Sequence, residues 1–353
     1  MLAFKYISIH YLKYFFVILS ALVLFLVGFD YMDSAEKLSK SANLTLIYLT
    51  YKTFFAIDTL LPLSLVFAMI STKIFLIRSN ALVSFYSLGY SRRDVLKPFV
   101  VVSGIIMTIY ISLHSWSSFA RAQEFSDNIR SNAQYLSPTR DLFFVYKDKY
   151  VYFSKMLPLQ KKAINVRIFT LQGRTLKKVI VASSAVYKDN FWFIKNADII
   201  EKPDDLSLKS NGITVTKSNG LKILKGFKPK MLDQVYEGKV NFTIQDAIDA
   251  LVLLDGQNID TTTIRVALYK IFIYPLFVPS LVVIIFFFVP ISARFLNISL
   301  FSFGAILSTL LVWGVLFMLN ELANHKTVSA EVGILLPIFI LVSIAFRQYR
   351  FYK

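Results

Sequence analysis

Six apolar stretches constrain this chain more than anything else in it, and a polar block from Phe119 to Arg265 divides them into two groups of three. Lipid offers no partner to backbone N–H and C=O groups, so a run of about 20 apolar residues crosses a bilayer core as a helix. The first group runs from about Leu12 to Met32, Thr53 to Ile77 and Phe99 to Ser118. The second runs from Val266 to Val289, Ile298 to Asn320 and Val332 to Phe346. The last of these is short and needs its flanking arginines at the interface. The N-terminal run is too long for a signal peptide and has no small-residue cleavage site, so it reads as a retained first span. Of the 353 residues 56% are hydrophobic and 17% charged, more apolar surface than a soluble core requires. The expected fold class is therefore membrane α-helical, with spans in 1–118 and 266–353 and an inserted domain in 119–265.

Short loops set the orientation. Lys5, Lys13, Arg78, Arg92, Arg93, Lys97, Arg294, Arg347, Arg350 and Lys353 collect on one side, against Lys37, Lys40, Lys52 and Lys326 on the other. That bias places both termini in the cytoplasm and the polar block on the opposite face. Net charge is +17, and both parts are basic, with 23 Lys and Arg against 15 Asp and Glu in the block and 16 against 7 outside it. Contact with anionic lipid or phosphate fits this balance. So does a solvated surface under the ordinary positive-inside bias.

Inside the block, apolar residues alternate in short runs. LFFVYKDKYVYFSKM reads as two strands around Lys147 to Lys149, and AINVRIFTLQGRTLKKVIVASS as two more around Gly173. AVYKDNFWFIKNADII turns at Asp189 and Asn190, and NGITVTKSNGLKILKGF is expected to turn at Asn219 and Gly220. The insert is thus expected to be all-β, a sandwich or jelly roll. Two flanks read as helical. SSFARAQEFSDNIRSNAQ continues the third span outward, and FTIQDAIDALVLLDG opens at Thr243 with Asp246 three residues on and closes at Gly256.

The chemistry the chain lacks narrows its function. With no cysteine there is no disulfide, thiolate metal site or cysteine nucleophile. His10, His114 and His325 are far apart in sequence, which argues against a metal centre. No GxxxxGK[ST], HExxH or GxSxG sequence occurs, so the chain supplies no P-loop ATP site of its own, and neither a catalytic residue nor a cofactor is expected. Lys73, near the end of the second span, can snorkel, and Asp30 and Asp58 lie at the outer ends of the first two spans.

Two places remain for function. Between the second and third spans, RSNALVSFYSLGYSRRDVLKP places Leu82, Phe85, Tyr86 and Leu88 at roughly helical spacing, with Gly89 able to end the helix in a left-handed cap. A short amphipathic helix over 78–96, facing the cytoplasm, suits docking into a separate ATPase. It equally suits an interfacial helix with lipid-binding arginines. On the outer side Lys37, Lys40 and Lys52, with Arg121 and Arg130 after the third span, gather cations at one depth. Such a group could hold lipid phosphates or serve as interface anchors.

The whole chain resembles the LptF/LptG family of lipopolysaccharide export permeases. LLPLSLVFAMISTKIFLIRSNALVSFYSLGYSRRDV is similar to that family's second span and coupling helix. FVYKDKYVYFSKM, SSAVYKDNFWFIKNADI and GILLPIFILVSIAF are more similar to the LptG branch. The resemblance implies an inner-membrane half-transporter with a periplasmic β-jellyroll, paired with an LptF-type subunit on an LptB-type ATPase dimer and joined by an LptC-type protein. Its substrate would be lipopolysaccharide, handed to a periplasmic bridge; ATP would be bound by the partner, and no nucleic acid is involved. It implies coupling through Arg78, Asn80, Leu82, Phe85, Leu88, Gly89, Arg92, Arg93 and Asp94. It also implies lipid-phosphate contacts among Lys37, Lys40 and Arg130. Two positions depart from the pattern. Asn80 stands where the family has a glutamate, so the charged contact with the ATPase is either missing or moved to a residue such as Asp94, and Asp30 falls near one of the family's basic positions. A rival of another class is a membrane-anchored sensor or scaffold whose β domain binds an envelope partner without transport.

Overall fold

The protein is described as a computed structural model, covering residues 2–38, 42–130, 139–146, 149–157, 161–172, 175–189, 191–203, 212–225, 227, 242–254, 261–288 and 297–351. Six helical segments among them are long and apolar enough to cross a membrane. The chain is therefore a multi-pass membrane protein with an inserted β domain, as the apolar runs imply.

The helices outrun their apolar cores. Helix α1 spans Leu2–Leu38 and α2 Ala42–Arg78, and the short α3, Ala81–Ser87, leads to α4, Arg92–Leu113. Helix α2 is the axle of the bundle: 72% of its apolar window is buried, against 11% for α1. Tyr11 of α1 shows how a polar group enters this core, donating its hydroxyl to Leu65 O at 3.0 Å.

Several expectations change at the helix ends and at proline. The polar helix expected to prolong the third span is broken at His114 to Trp116; α5, Ser117–Ala120, and α6, Ala122–Arg130, follow as separate pieces. The fourth span is likewise divided. Helix α8, Thr262–Phe272, passes through a 3₁₀ turn, Tyr274–Leu276, into α9, Phe277–Phe288. Pro275 supplies no N–H and so interrupts the α ladder. Before it, α7 spans Ile244–Leu254, and Thr243 Oγ1 accepts from Asp246 N at 3.1 Å, realising the expected cap. Helix α10 covers Ile298–Asn324; a π turn, Glu331–Leu335, then opens α11, Leu336–Phe351. Lys73 does not snorkel. It is buried, donates to Phe286 O, and lies 3.9 Å from the centre of the Phe286 ring.

The insert forms a six-stranded antiparallel meander in the order β1-β2-β3-β4-β5-β6. Its strands are Thr139–Tyr146, Lys149–Leu157, Lys162–Gln172, Thr175–Lys188, Phe191–Glu201 and Thr214–Ile223. No turn forms at Asn219 and Gly220, contrary to expectation. Strand β6 runs straight through, with Asn196 opposite Asn219 and Ile194 opposite Leu221. Gly220 takes φ +76° inside the strand, where glycine marks a kink as readily as a turn.

That kink belongs to a crease crossing the sheet. Asp141 and Asn165 also have positive φ, 53° and 49°, and pairing lapses at Ser154, between them in register. Burial skips a residue at the same line in four strands: Val151, Phe153, Met156 in β2, Ala163, Val166, Ile168 in β3, Ile180, Ala182, Ala185 in β4, and Trp192, Ile194, Ala197 in β5. Of these four strands only β3 has a described residue in the left-handed region, Asn165, yet in all four the apolar side chains before and after the crease join one core. At its centre Trp192 is fully buried and donates Nε1–H to Phe227 O at 2.9 Å. Asparagine tolerates this backbone and a β-branched residue does not. Asn165→Val should therefore destabilise the protein by about 1–2 kcal/mol, while Asn165→Gly leaves it within about 1 kcal/mol, as measured by the thermal midpoint of the purified chain.

Gly333, in the π turn, sets the approach to α10. A Cβ there would stand 2.7 Å from Ala323 Cβ and 3.0 Å from Leu319 O. The neighbour includes backbone, so relief requires the helices to part. Gly333→Ala should lower stability by about 1–3 kcal/mol, read as a fall in the thermal midpoint in detergent.

Candidate functional site

The outer cations do not stand free. Helices α1 and α2 form an antiparallel hairpin, which places Asp30 beside Lys52, with Nζ 2.8 Å from Oδ1. Tyr48 donates its hydroxyl to Asp30 Oδ2 and lies 3.3 Å from Ser34 Oγ. From α6, Arg130 reaches the same carboxylate at 3.9 Å and binds Asp33 through its other terminal nitrogen. Partial burial pushes the neighbouring Asp127 carboxyl up from its ordinary value, opposed by the charges of Lys52 and Arg130. Lys52 is only 7% exposed. A cation so enclosed requires its carboxylate partner, so Asp30 is the keystone of the group and Lys52 and Arg130 are held through it. The side chain of Lys37, and Lys40 altogether, lie outside the described residues.

Arg121 belongs elsewhere. It is 6% exposed and binds Asp246 of α7 at 2.9 Å, while Ile244 N donates to His114 O at 3.3 Å beside it. Its contact ties α7 back to the end of α4. Sequence reasoning grouped Arg121 with Arg130 by proximity in the chain. The two stand at opposite ends of α6, Arg121 just before it and Arg130 at its close, and so meet different helices.

The stretch between α2 and α4 contains the expected amphipathic helix in compact form. Asn80 enters α3 with φ 54°, Leu82 is 1% exposed, and Phe85 and Tyr86 pack against the bundle core. Burial pushes the Tyr86 hydroxyl up to about 12. Gly89 takes φ +85°, its N–H donating to Tyr86 O at 3.0 Å, and Tyr90 N donates to Phe85 O at 3.1 Å. This is a helix closed by a left-handed glycine. Val83 and Leu88, 40% and 74% exposed, are the apolar residues on its free face, and Arg78 and Asn80 lie exposed at its start.

Arg92, Arg93 and Asp94 form the first turn of α4, separate from α3. Ser91 and Asp94 make a reciprocal capping box: Ser91 N and Oγ both donate to Asp94 Oδ2, and Asp94 N donates to Ser91 Oγ at 3.1 Å. Lys97 takes the other oxygen, Oδ1, at 2.7 Å. Arg93 crosses to the end of α11, donating to Tyr349 O at 2.8 Å with its guanidinium 4.6 Å from the Tyr349 ring centre.

Six candidate spans with a β insert after the third span, a short exposed helix between the second and third spans, and a charged cluster at the first hairpin define a multi-pass membrane protein with an inserted β domain. The chain matches the family described as lipopolysaccharide export system permease LptF/LptG over residues 5–352, nearly its whole length, and it belongs to that family. The family is a transporter membrane component of the lipopolysaccharide export system. No curated protein matches the chain.

The ion pair of Arg121 separates structural from substrate roles. Replacing Asp246 alone by Leu strands a buried guanidinium and should cost about 3 kcal/mol of stability. Pairing it with Arg121→Met should recover most of that loss in a thermal double-mutant cycle; additive losses would show that the two residues do not act as a pair.

Proposed function

We propose that the chain is one half, of the LptG type, of an ATP-driven transporter that takes lipopolysaccharide from the inner membrane and passes it to a periplasmic bridge. Its termini and α3 face the cytoplasm, and the β insert faces the periplasm. The partners are an LptF-type second permease subunit, an LptB-type ATPase dimer and an LptC-type membrane-anchored protein. ATP is bound and hydrolysed by the ATPase. Family membership supports this reading, and one observation within the fold carries it furthest: the burial of the spans is strongly uneven. The windows of α1, α10 and the sixth span are 11%, 17% and 22% buried, against 72% for α2 and 61% for the fourth span. Nearly bare spans around a packed centre suit gates, assigned to spans one and five, that open sideways to lipid and a second subunit.

In this mechanism spans one and five line the lateral gates, and the acyl chains rest in the apolar space between the two subunits. Moving an acyl chain into water is opposed by about 0.8 kcal/mol per CH₂, so extraction needs ATP and a shielded route, which the β insert provides. The lipid phosphates meet Lys37, Lys40, Lys52 and Arg130. Arg130 exchanges Asp33 for phosphate as the substrate arrives, while Lys52 adds its charge to the site without leaving Asp30. Arg121 positions the joint between α4 and α7.

Helix α3 transmits the ATPase stroke through its free face, with Leu88 and Val83 as apolar contacts, Arg78 and Asn80 at its start, and Leu82 and Phe85 anchoring it to the bundle. Gly89 and the Ser91–Asp94 box join it to α4, where Arg92, beside the clamp of Arg93, completes the coupling surface.

Copurification of the chain with a cytoplasmic P-loop ATPase tests the assembly; a stable, active chain that never retains one favours the scaffold reading. Within the complex, Leu88→Asp should uncouple ATP hydrolysis from transport, lowering transport about tenfold while the assembly persists. Unchanged transport in that variant would remove α3 from the coupling path. Arg130→Glu, which sets a third carboxylate beside Asp30 and Asp33, should weaken lipopolysaccharide-stimulated ATPase activity in proteoliposomes by a similar factor. Stimulation equal to the parent would make Arg130 an interface anchor only.

A further inference from the structure

Helices α4 and α11 and the fourth span bound a groove of about 450 Å³, within the range of about 300–1,000 Å³ for small-molecule sites. Its two ends differ. Along α4 the lining runs from Arg93 through Lys97 to Val101, about 12 Å of helix. Helix α11 supplies Tyr349, Phe346 and Val342 in the same direction, and the fourth span adds Leu276 and Val283. Ser280, the polar residue that this span contributes, donates its hydroxyl to Leu276 O at 2.9 Å. The depth of the groove is therefore apolar, and its mouth lies at the end of the spans.

Three cations stand at that mouth. Arg93 donates through Nη2 to Tyr349 O at 2.8 Å, while its Nη1 makes no hydrogen bond among the described residues and is not enclosed. Lys97 is exposed and gives one of its three donors to Asp94 Oδ1 at 2.7 Å. Arg350 is exposed, with its guanidinium 4.7 Å from the ring centre of Phe346, and makes no ion pair among the described residues. Asp94 is the carboxylate beside them, and both its oxygens are engaged, Oδ1 by Lys97 and Oδ2 by Ser91.

This distribution selects the occupant. Three cations against one engaged carboxylate favour a negative headgroup, each cation near a membrane surface contributing about fivefold. The ammonium of a zwitterionic headgroup would meet like charge instead. Below the mouth, an aliphatic chain finds a wall of Val101, Val283 and Val342. A partner helix would need cover along a whole span, whereas this groove reaches only to Leu276, near the middle of the fourth span.

We propose that the groove holds one anionic phospholipid of the phosphatidylglycerol type, its phosphate among Arg93, Lys97 and Arg350 and one acyl chain between α4 and α11. The site lies at the opposite end of the bundle from the Asp30 cluster. The proposal rests on the spans crossing a bilayer and not on the transport reading.

The test titrates the full-length chain in detergent with phosphatidylglycerol and, in parallel, phosphatidylcholine, counting bound lipid by native mass spectrometry. A phosphatidylglycerol with a diazirine on its acyl chain then maps the site. One phosphatidylglycerol per chain is expected at least about tenfold more tightly than phosphatidylcholine, with crosslinks on α4 and α11. Lys97→Gln together with Arg350→Gln changes two exposed side chains and should weaken that binding at least about tenfold with the thermal midpoint preserved. Val101→Trp, at a position 44% exposed, should fill the groove and remove the crosslinks; where it lowers the midpoint, the charge variant decides. Equal binding of the two lipids, which marks an ordinary lipid boundary, overturns the proposal. So do crosslinks elsewhere, affinity undiminished in the charge variant, or a dimer of chains in the same spectra that closes this face to lipid.

Discussion

Lipid leaves a charge no solvent to fall back on, and the arrangement of this bundle follows from where its few charges find partners. Lys73 is held by a backbone carbonyl and the face of Phe286. Lys52 and Asp30 meet across the α1–α2 hairpin, and Asp58 receives His114 and Tyr110. Each contact joins separate helices or separate turns of the bundle, so satisfying the charge also sets how those helices pack. Helix α2 carries Lys52, Asp58 and Lys73 and is the most buried span. Apart from Arg78 at its exposed end, these three charged side chains need neighbours on several sides to partner them, and that need keeps the helix at the centre while α1, α10 and α11 remain largely bare.

The same logic separates the arginines and lysines that resemble one another in sequence. Arg121, Arg130 and Arg93 all lie at helix ends, where an interfacial anchor would suit them equally. Arg121 is enclosed with one carboxylate, Arg93 grips the last carbonyls of α11, and Arg130 sits more openly between two carboxylates that already hold other groups. Only the last arrangement allows a competing anion to enter without dismantling a helix junction. Position in the chain could not distinguish these three, because the deciding partners, Asp246, Tyr349 and Asp33, lie 125, 256 and 97 residues away.

Much of the architecture was legible because hydropathy reports membrane crossing almost directly. Six apolar runs became six candidate spans, and the strands on either side of three expected turns pair as hairpins, Tyr146 with Lys149, Gln172 with Thr175 and Lys188 with Phe191. The failures share one cause. Asn219 and Gly220 have the chemistry of a turn, yet β5 holds register on both sides and converts it to a kink. Lys73 has the reach to snorkel, yet the Phe286 carbonyl is closer at hand. Local propensity proposes, and a long-range partner decides.

The crease across the β insert had a readable trace in the apolar spacing, which lengthens from two residues to three at the same level of successive strands. Asp141, Asn165 and Gly220 are residue types that tolerate a left-handed backbone, and they fall along this one line. A sheet interrupted at a single strand would lose register there. Interrupted at one level across its width, it keeps register and bends. Burial then remains on one continuous side, so Phe153 and Met156 serve the same core although they are an odd number of residues apart. In a domain proposed to shield acyl chains, such a crease gives the described six-stranded sheet a lined interior.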